Sequence, residues 1–199
     1  MKQVANVLLF IVVFVFSSQC KSNSIREGDL YRESEGLFVV RSPVSSMGGK
    51  FAETKGSVQF YDDLGQLYKI DYGLLPPALL EEFAQYSKAD QQKEFGRRFI
   101  VPYIQRKIPD ASVVHEEMIT NDDSYFMVMN FPKGSTYTVN GERQDILRGL
   151  LLFSHADRMY VLHIQLPFSA GFLNNPTTAD ITQSLKTKLI EFHKNIRFL

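Results

Sequence analysis

Val58 and Phe60 alternate with Gln59 and Tyr61, and further on Tyr68, Ile70 and Tyr72 alternate with Leu67, Lys69 and Asp71. A period of two predicts half-buried strands. Asp62-Asp63-Leu64-Gly65 between them is a turn signal, so the two strands read as a hairpin with one buried face. Leu37 to Val40 is a short apolar run that stops at Ser42-Pro43 and reads as the first strand, and Ser45 to Gly49 reads as a loop. After residue 110 the strand pattern dominates. Ser124 to Phe131 lies between Asp122-Asp123 and Pro132-Lys133-Gly134, and Thr136 to Val139 runs into the hairpin dipeptide Asn140-Gly141. Ile146 to Ser154 carries Leu150, Leu151, Leu152 and Phe153 without a break, which predicts a strand covered on both faces. His155 to Arg158 turns the chain into Met159 to Leu166, where Tyr160, Leu162 and Ile164 alternate with Val161, His163 and Gln165.

The helical period appears three times. Pro76-Pro77 suits a helix start, where the missing N–H costs nothing, and Leu79, Leu80 and Phe83 follow at helical spacing. Ser87 with Asp90 reads as a second N-cap. Phe95, Phe99 and Tyr103, with Ile100 and Ile104, stripe the next helix, which Pro102 is expected to kink or shorten. From Asp180 onward Ile181, Leu185, Leu189, Phe192 and Ile196 form one apolar stripe, with Lys186, Lys188, Glu191 and Lys194 off it. That spacing predicts an amphipathic helix packed on a sheet, and Thr177-Thr178 supplies its cap.

Runs of strands and runs of helices are segregated, which predicts an α+β fold, an antiparallel sheet flanked by helices. The element order is similar to that of the PsbP-like α/β/α sandwich. The resemblance spans residues 36–199 and implies a single globular domain. It also implies a protein that binds or stabilises partners and is not an enzyme.

The first residues follow neither period. Val4 to Phe16 is apolar apart from Asn6 and follows Lys2. A membrane-spanning helix needs about 20 apolar residues, so a shorter run after a positive start reads as a signal peptide, residues 1–19. The chain's one cysteine comes directly behind it, in Ser17-Ser18-Gln19-Cys20. These residues resemble the lipobox of bacterial lipoproteins, in which the cysteine takes diacylglycerol and becomes the new N-terminus. Gln19 stands where that family prefers Gly, Ala or Ser, and an ordinary signal-peptidase cut near Ser18 is the alternative. Lys21 is compatible, by the same resemblance, with sorting to the outer membrane and a domain facing the periplasm. Residues 20–35 read as the lipidated N-terminus and a solvated linker.

Lys2 is the only charged residue before Cys20, so its removal leaves 21 of the 22 basic residues against 22 acidic ones. A balance this even offers no bulk attraction to nucleic acid. With no disulfide possible, the core stands on packing, and 16 Phe and nine Tyr supply its mass.

Candidate chemistry is sparse. His115-Glu116-Glu117 adjoins an imidazole and two carboxylates, but the H-E-x-x-H zinc frame fails because Ile119 stands at its second histidine. A hydrolase built on these three residues is the enzyme alternative. Ser154-His155-Ala156-Asp157 holds the letters of a triad, but consecutive turn residues do not align as one. His163 reads as a hydrogen-bonded histidine on the less buried strand face, and His193 as polar-side helix. Gly48-Gly49-Lys50 lacks the rest of a phosphate loop. Arg97-Arg98 and Arg106-Lys107 read as a solvated helix face. Tyr61, Tyr68, Tyr72 and Tyr103 are the candidate binding surface, aromatics beside the hairpin that line a pocket or meet a partner. The expectation is therefore a lipid-anchored envelope protein, not an enzyme, with no cofactor and no metal. It binds a protein partner or, alternatively, carries or senses a small apolar or lipid ligand.

Overall fold

The computed structural model describes residues 25–27, 29–44, 49–62, 65–119, 123–134, 138–139, 141–166 and 177–199. The predicted signal peptide, Cys20 and the loop residues Asn174 to Pro176 lie outside the described residues. In chain order the strands β1 (Ile25–Glu27), β2 (Leu30–Arg32), β3 (Phe38–Arg41), β4 (Lys50–Thr54), β5 (Ser57–Tyr61) and β6 (Leu67–Leu74) come first. Helices α1 (Pro77–Phe83), α2 (Lys88–Phe95) and α3 (Val101–Lys107) follow. Then come β7 (Ser112–Ile119), β8 (Ser124–Phe131), β9 (Thr138–Val139), β10 (Glu142–Arg143), β11 (Ile146–His155) and β12 (Arg158–Gln165). Helix α4 (Thr178–Lys194) and β13 (Ile196–Phe198) close the chain. The fold is α+β, as the segregated pattern predicts.

A seven-stranded sheet, ordered β4-β5-β6-β12-β11-β8-β7, forms the middle layer, and every neighbouring pair is antiparallel. One face is covered by α4 and by a second, four-stranded sheet, β1-β2-β3-β13. Val58, Phe60, Tyr68, Ile70, Tyr72, Tyr160, Leu162 and Ile164 point that way and pack with Leu185, Leu189 and Phe192. Gly149 on β11 lets α4 come close: a Cβ there would sit 2.9 Å from Leu189 Cδ1 and 3.1 Å from Leu185 Cβ. Helix α4 starts in a reciprocal cap. Thr177 Oγ1 accepts from the Asp180 N–H, and Asp180 Oδ2 accepts from the Thr177 N–H.

The opposite face is covered at its β8 and β11 end by α2 and α3, through Phe95, Ile100, Val101 and Ile104, while α1 packs on Met159 of β12 through Leu79 and Phe83. Between α2 and α3 the residues Gly96–Ile100 form one π-helical turn, in which the Val101 N–H bonds to the Gly96 carbonyl. Pro102 explains it. A proline has no N–H to give the carbonyl four residues back, and the wider turn absorbs the defect without breaking the rod. The predicted kink is thus a local widening. Gly96 also sets the helix-to-sheet distance, since a Cβ there would lie 2.8 Å from Met127 Cε.

Three expectations are corrected. The linker does not run to residue 35, because β1 and β2 already belong to the small sheet and Tyr31 is fully buried against Phe60 and Phe38. The buried Glu33 belongs to the fold too: it accepts the Glu35 and Leu37 N–H groups at 2.8 and 3.1 Å, and the Tyr72 hydroxyl at 2.9 Å. Ile196 is not the end of the last helix but the first residue of β13, paired with Val40. Strand β4, whose sequence KFAET lacks an apolar alternation, is an edge strand that the periodicity did not predict.

Candidate functional site

The strand alternation that buries Tyr68, Ile70 and Tyr72 under α4 sends Lys69 and Asp71 through to the helical side of the sheet. The same rule on β12 sends Met159, Val161 and His163 there, and on β5 Ser57 and Gln59. Helices α1 to α3 roof this face over β8, β11 and part of β12 and leave the β5–β6 part uncovered. The space between is a cleft of about 520 Å³. Its walls are apolar: Leu75 and Leu79 on one side, and Phe95, Phe99, Ile100, Tyr103 and Ile104 from the helical rod. Its floor is polar, made by Gln59, Lys69, Asp71, Arg148 and His163.

The floor is an ordered electrostatic array. Lys69 Nζ donates to Asp71 Oδ2 at 2.8 Å, and His163 Nε2 lies 3.0 Å from the same oxygen. The imidazole approaches that oxygen off the N–H axis, so neither ring nitrogen has an aligned hydrogen-bond partner. Burial alone pushes the Asp71 carboxyl up; contacts with His163 and Lys69 overcome this and hold it well below the usual carboxylate range. Asp71 lies deep, yet 28 % of its side chain faces the cavity. Burial pushes the His163 imidazole down, against the pull of Asp71, with the nearby Lys69 and Arg148 charges acting in the same direction as burial. His163 is therefore neutral at pH 7. Arg148 donates from Nη2 to Gln165 Oε1 at 2.8 Å, and its guanidinium carbon stands 4.7 Å from the Phe131 ring centre. Burial lowers its pKa and Asp71 opposes that, but a guanidinium keeps its proton.

The four tyrosines proposed from sequence do not share a surface. Tyr68 and Tyr72 are core residues, 5 % exposed each; Tyr68 meets the Phe192 ring edge-on and Tyr72 meets Phe38. Tyr61 is half-buried at the end of β5. Only the Tyr103 side chain joins the cleft wall, with Lys107 Nζ 4.9 Å from its ring centre at the rim. Burial and the hydrogen bond to Glu33 push the Tyr72 hydroxyl well above the ordinary tyrosine range.

His115, Glu116 and Glu117 split across β7. His115 Nε2 lies 3.1 Å from Glu117 Oε1, and Lys186 of α4 donates to Glu117 Oε2 at 2.9 Å. Burial raises the Glu117 carboxyl, but these two partners outweigh it and lower it overall. Glu116 faces the other way and accepts from Arg97 and from the Tyr125 hydroxyl. Among the described residues no group of three His, Cys, Asp or Glu side chains converges as a metal site. Ser154 Oγ accepts from Gln92 at 3.4 Å and His155 stacks on Phe198 at 4.0 Å, so the triad letters are spent on packing. His193 packs 4.1 Å from the Phe153 ring centre, which corrects its polar-side assignment. Arg98 pairs with Glu82, and Arg106 leans over Tyr103. Gly48 lies outside the described residues, and Lys50 begins β4.

The floor was not found from sequence. The sequence pattern puts His163 on the less buried face, whereas the structure leaves it only 7 % exposed. The one available signal was alternation, which puts Lys69, Asp71 and His163 on a common side.

The α+β layers and a roofed sheet face define a sandwich of the PsbP-like kind. The chain is similar in structure to the cyanobacterial PsbP (CyanoP) from Synechocystis sp. PCC 6803, with 11 % identity, 92 % of this chain and 99 % of that chain covered, and a TM-score of 0.50. It also aligns with a protein from Bacteroides thetaiotaomicron VPI-5482 (11 % identity, 87 % and 49 % covered, TM-score 0.40) and with a variant of the protein Mog1 (9 % identity, 89 % and 96 % covered, TM-score 0.47). At such identities the likeness concerns the fold alone. No family model matches the sequence, and no curated protein matches it.

Proposed function

We propose that this protein is a lipid-anchored, non-enzymatic binding protein of the bacterial cell envelope that holds a small, largely apolar ligand in the cleft. The observation that carries this reading is the 520 Å³ space with apolar walls and a polar floor. Ligand sites have this size and this makeup, mostly hydrophobic lining with a few placed polar groups. The lipobox-like Ser17-Ser18-Gln19-Cys20 supports the anchor and the envelope address. The floor supports binding over catalysis. In register, Ser57 stands opposite Asp71 on β6, while His163 stands opposite Lys69. The carboxylate therefore lies between hydroxyl and imidazole, the reverse of the order a nucleophilic relay needs.

The test is a filled cleft. Ile104→Trp adds bulk to the helical wall without touching the face under α4. Purified full-length protein is heated with and without decan-1-ol. The wild type is expected to gain thermal stability with the alcohol and Ile104→Trp to gain none. An equal response of both proteins would remove the cleft as the binding site.

A further inference from the structure

The charges on the cleft floor do not cancel. Lys69 and Asp71 close on each other at 2.8 Å, and His163 turns its ring to the same carboxylate. That leaves Arg148. Its Nη2 donates to a neutral amide, Gln165, and its face rests on Phe131. Its Nε is buried and has no hydrogen-bond partner. Among the described residues no carboxylate lies within ion-pair distance of this guanidinium. The floor thus carries one uncompensated positive charge beneath apolar walls, and Lys107 at the rim adds to the same sign. A buried cation without a counter-ion is costly unless something supplies the charge.

We propose that the ligand is a monocarboxylate with an apolar body, its carboxylate seated at Arg148 and its chain laid along the helical wall. This rests on the cleft reading above. A planar carboxylate matches the guanidinium fork. One negative charge neutralises the buried floor, since Lys107 is solvated at the rim, and the second charge of a phosphate monoester has no buried partner. The cleft has room for roughly 15–20 non-hydrogen atoms, at about 30 Å³ for each water-sized group, which is the size of a fatty acid of about 13–18 carbons, and a ten-carbon chain fits within it. The Arg148 stem and Phe131 form the transition from charged floor to apolar wall.

The test is calorimetric titration of the purified full chain with decanoate, decan-1-ol and decyl phosphate, which share one chain and differ in the head. The wild type is expected to bind decanoate about tenfold or more tightly than the alcohol, the span of a charge-assisted hydrogen bond. Decyl phosphate is expected to bind no better than decanoate. Arg148→Met, which keeps the stem and drops the charge, is expected to bind decanoate and decanol alike. Arg148→Lys is expected to keep part of the preference. Equal binding of decanoate and decanol by the wild type would overturn the carboxylate proposal and leave the cleft standing. A clear preference for decyl phosphate would overturn the choice of head group. Failure of all three probes to bind would overturn the cleft reading and this inference together. The wild-type comparison decides even where a variant does not fold.

Discussion

Replacing His163 with glutamine is expected to flatten the protein's response to mild acid. The imidazole is 7 % exposed, sits among Lys69, Asp71 and Arg148, and is held below its ordinary pKa by burial against the counter-pull of Asp71. In the unfolded chain the same ring titrates near about 6.5. Below that pH the unfolded state takes up a proton that the folded state refuses. Folding stability therefore falls as pH falls, and the lost part is restored on return to neutrality. The slope from one histidine is at most about 1.4 kcal/mol per pH unit. Stability is lost progressively as pH falls from about 6.5 toward the depressed folded value, at no more than that slope. Asp71 does not confuse this window. Its carboxyl is depressed in the fold, so its contribution is complete above about 3.9 and is lost only as pH falls from there through the folded value. Glutamine keeps an amide N–H for Asp71 and removes the titration. Urea unfolding followed by circular dichroism at half-unit pH steps measures both proteins, and the difference between their slopes isolates residue 163. Parallel slopes for the two proteins, or a wild type that gains stability on acidification, would refute the assignment of a buried neutral histidine.

Three further outcomes are expected. Leu185→Asp puts an unpaired charge among Leu151, Leu189 and Phe126, at a cost of several kcal/mol, and should abolish cooperative unfolding; an unshifted melting curve would show that α4 does not dock through this residue. Thr177→Ala removes the side-chain half of the α4 cap and should lower the melting midpoint by about 2–4 °C, and calorimetry showing no change would mean the cap carries no stability. Cys20→Ser should leave the protein as an unprocessed precursor or release it from the membrane pellet, and wild-type fractionation and migration would end the lipoprotein proposal.

The sheet and helices were readable because burial on one side leaves a periodic trace. The capped stripe from Ile181 to Phe192 and the alternating β6 and β12 needed no tertiary knowledge. Strands β2 and β4 were missed for a matching reason. In β2 only Tyr31 is buried, between exposed Leu30 and Arg32, and β4 is an edge whose residues are all half-buried or exposed. Neither leaves an alternation to read. The floor of the cleft shows a different limit. Period two put Lys69, Asp71 and His163 on one side, but nothing local says that a rod from residues 88–107 roofs that side. Polar residues facing solvent and polar residues facing a cleft have the same pattern. Arg148 was hidden further, inside a strand whose neighbours are nearly all apolar.

The pairing of β13 with β3 has a bearing on how the chain comes off the ribosome. Val40 finds its partner Ile196 only after roughly 150 further residues have been made, about 8–30 s at ordinary synthesis rates. Until then the inner strand of the small sheet has one open edge, and the layer that covers Val58, Phe60 and Tyr72 is unfinished. Closing so long a span is also slow in itself, because the entropy of the loop is lost before the contact is gained. The small sheet therefore stays open until Ile196 to Phe198 have been made. A polypeptide that completes its core this late remains threadable, a property useful to any protein that must pass through a narrow channel before it folds.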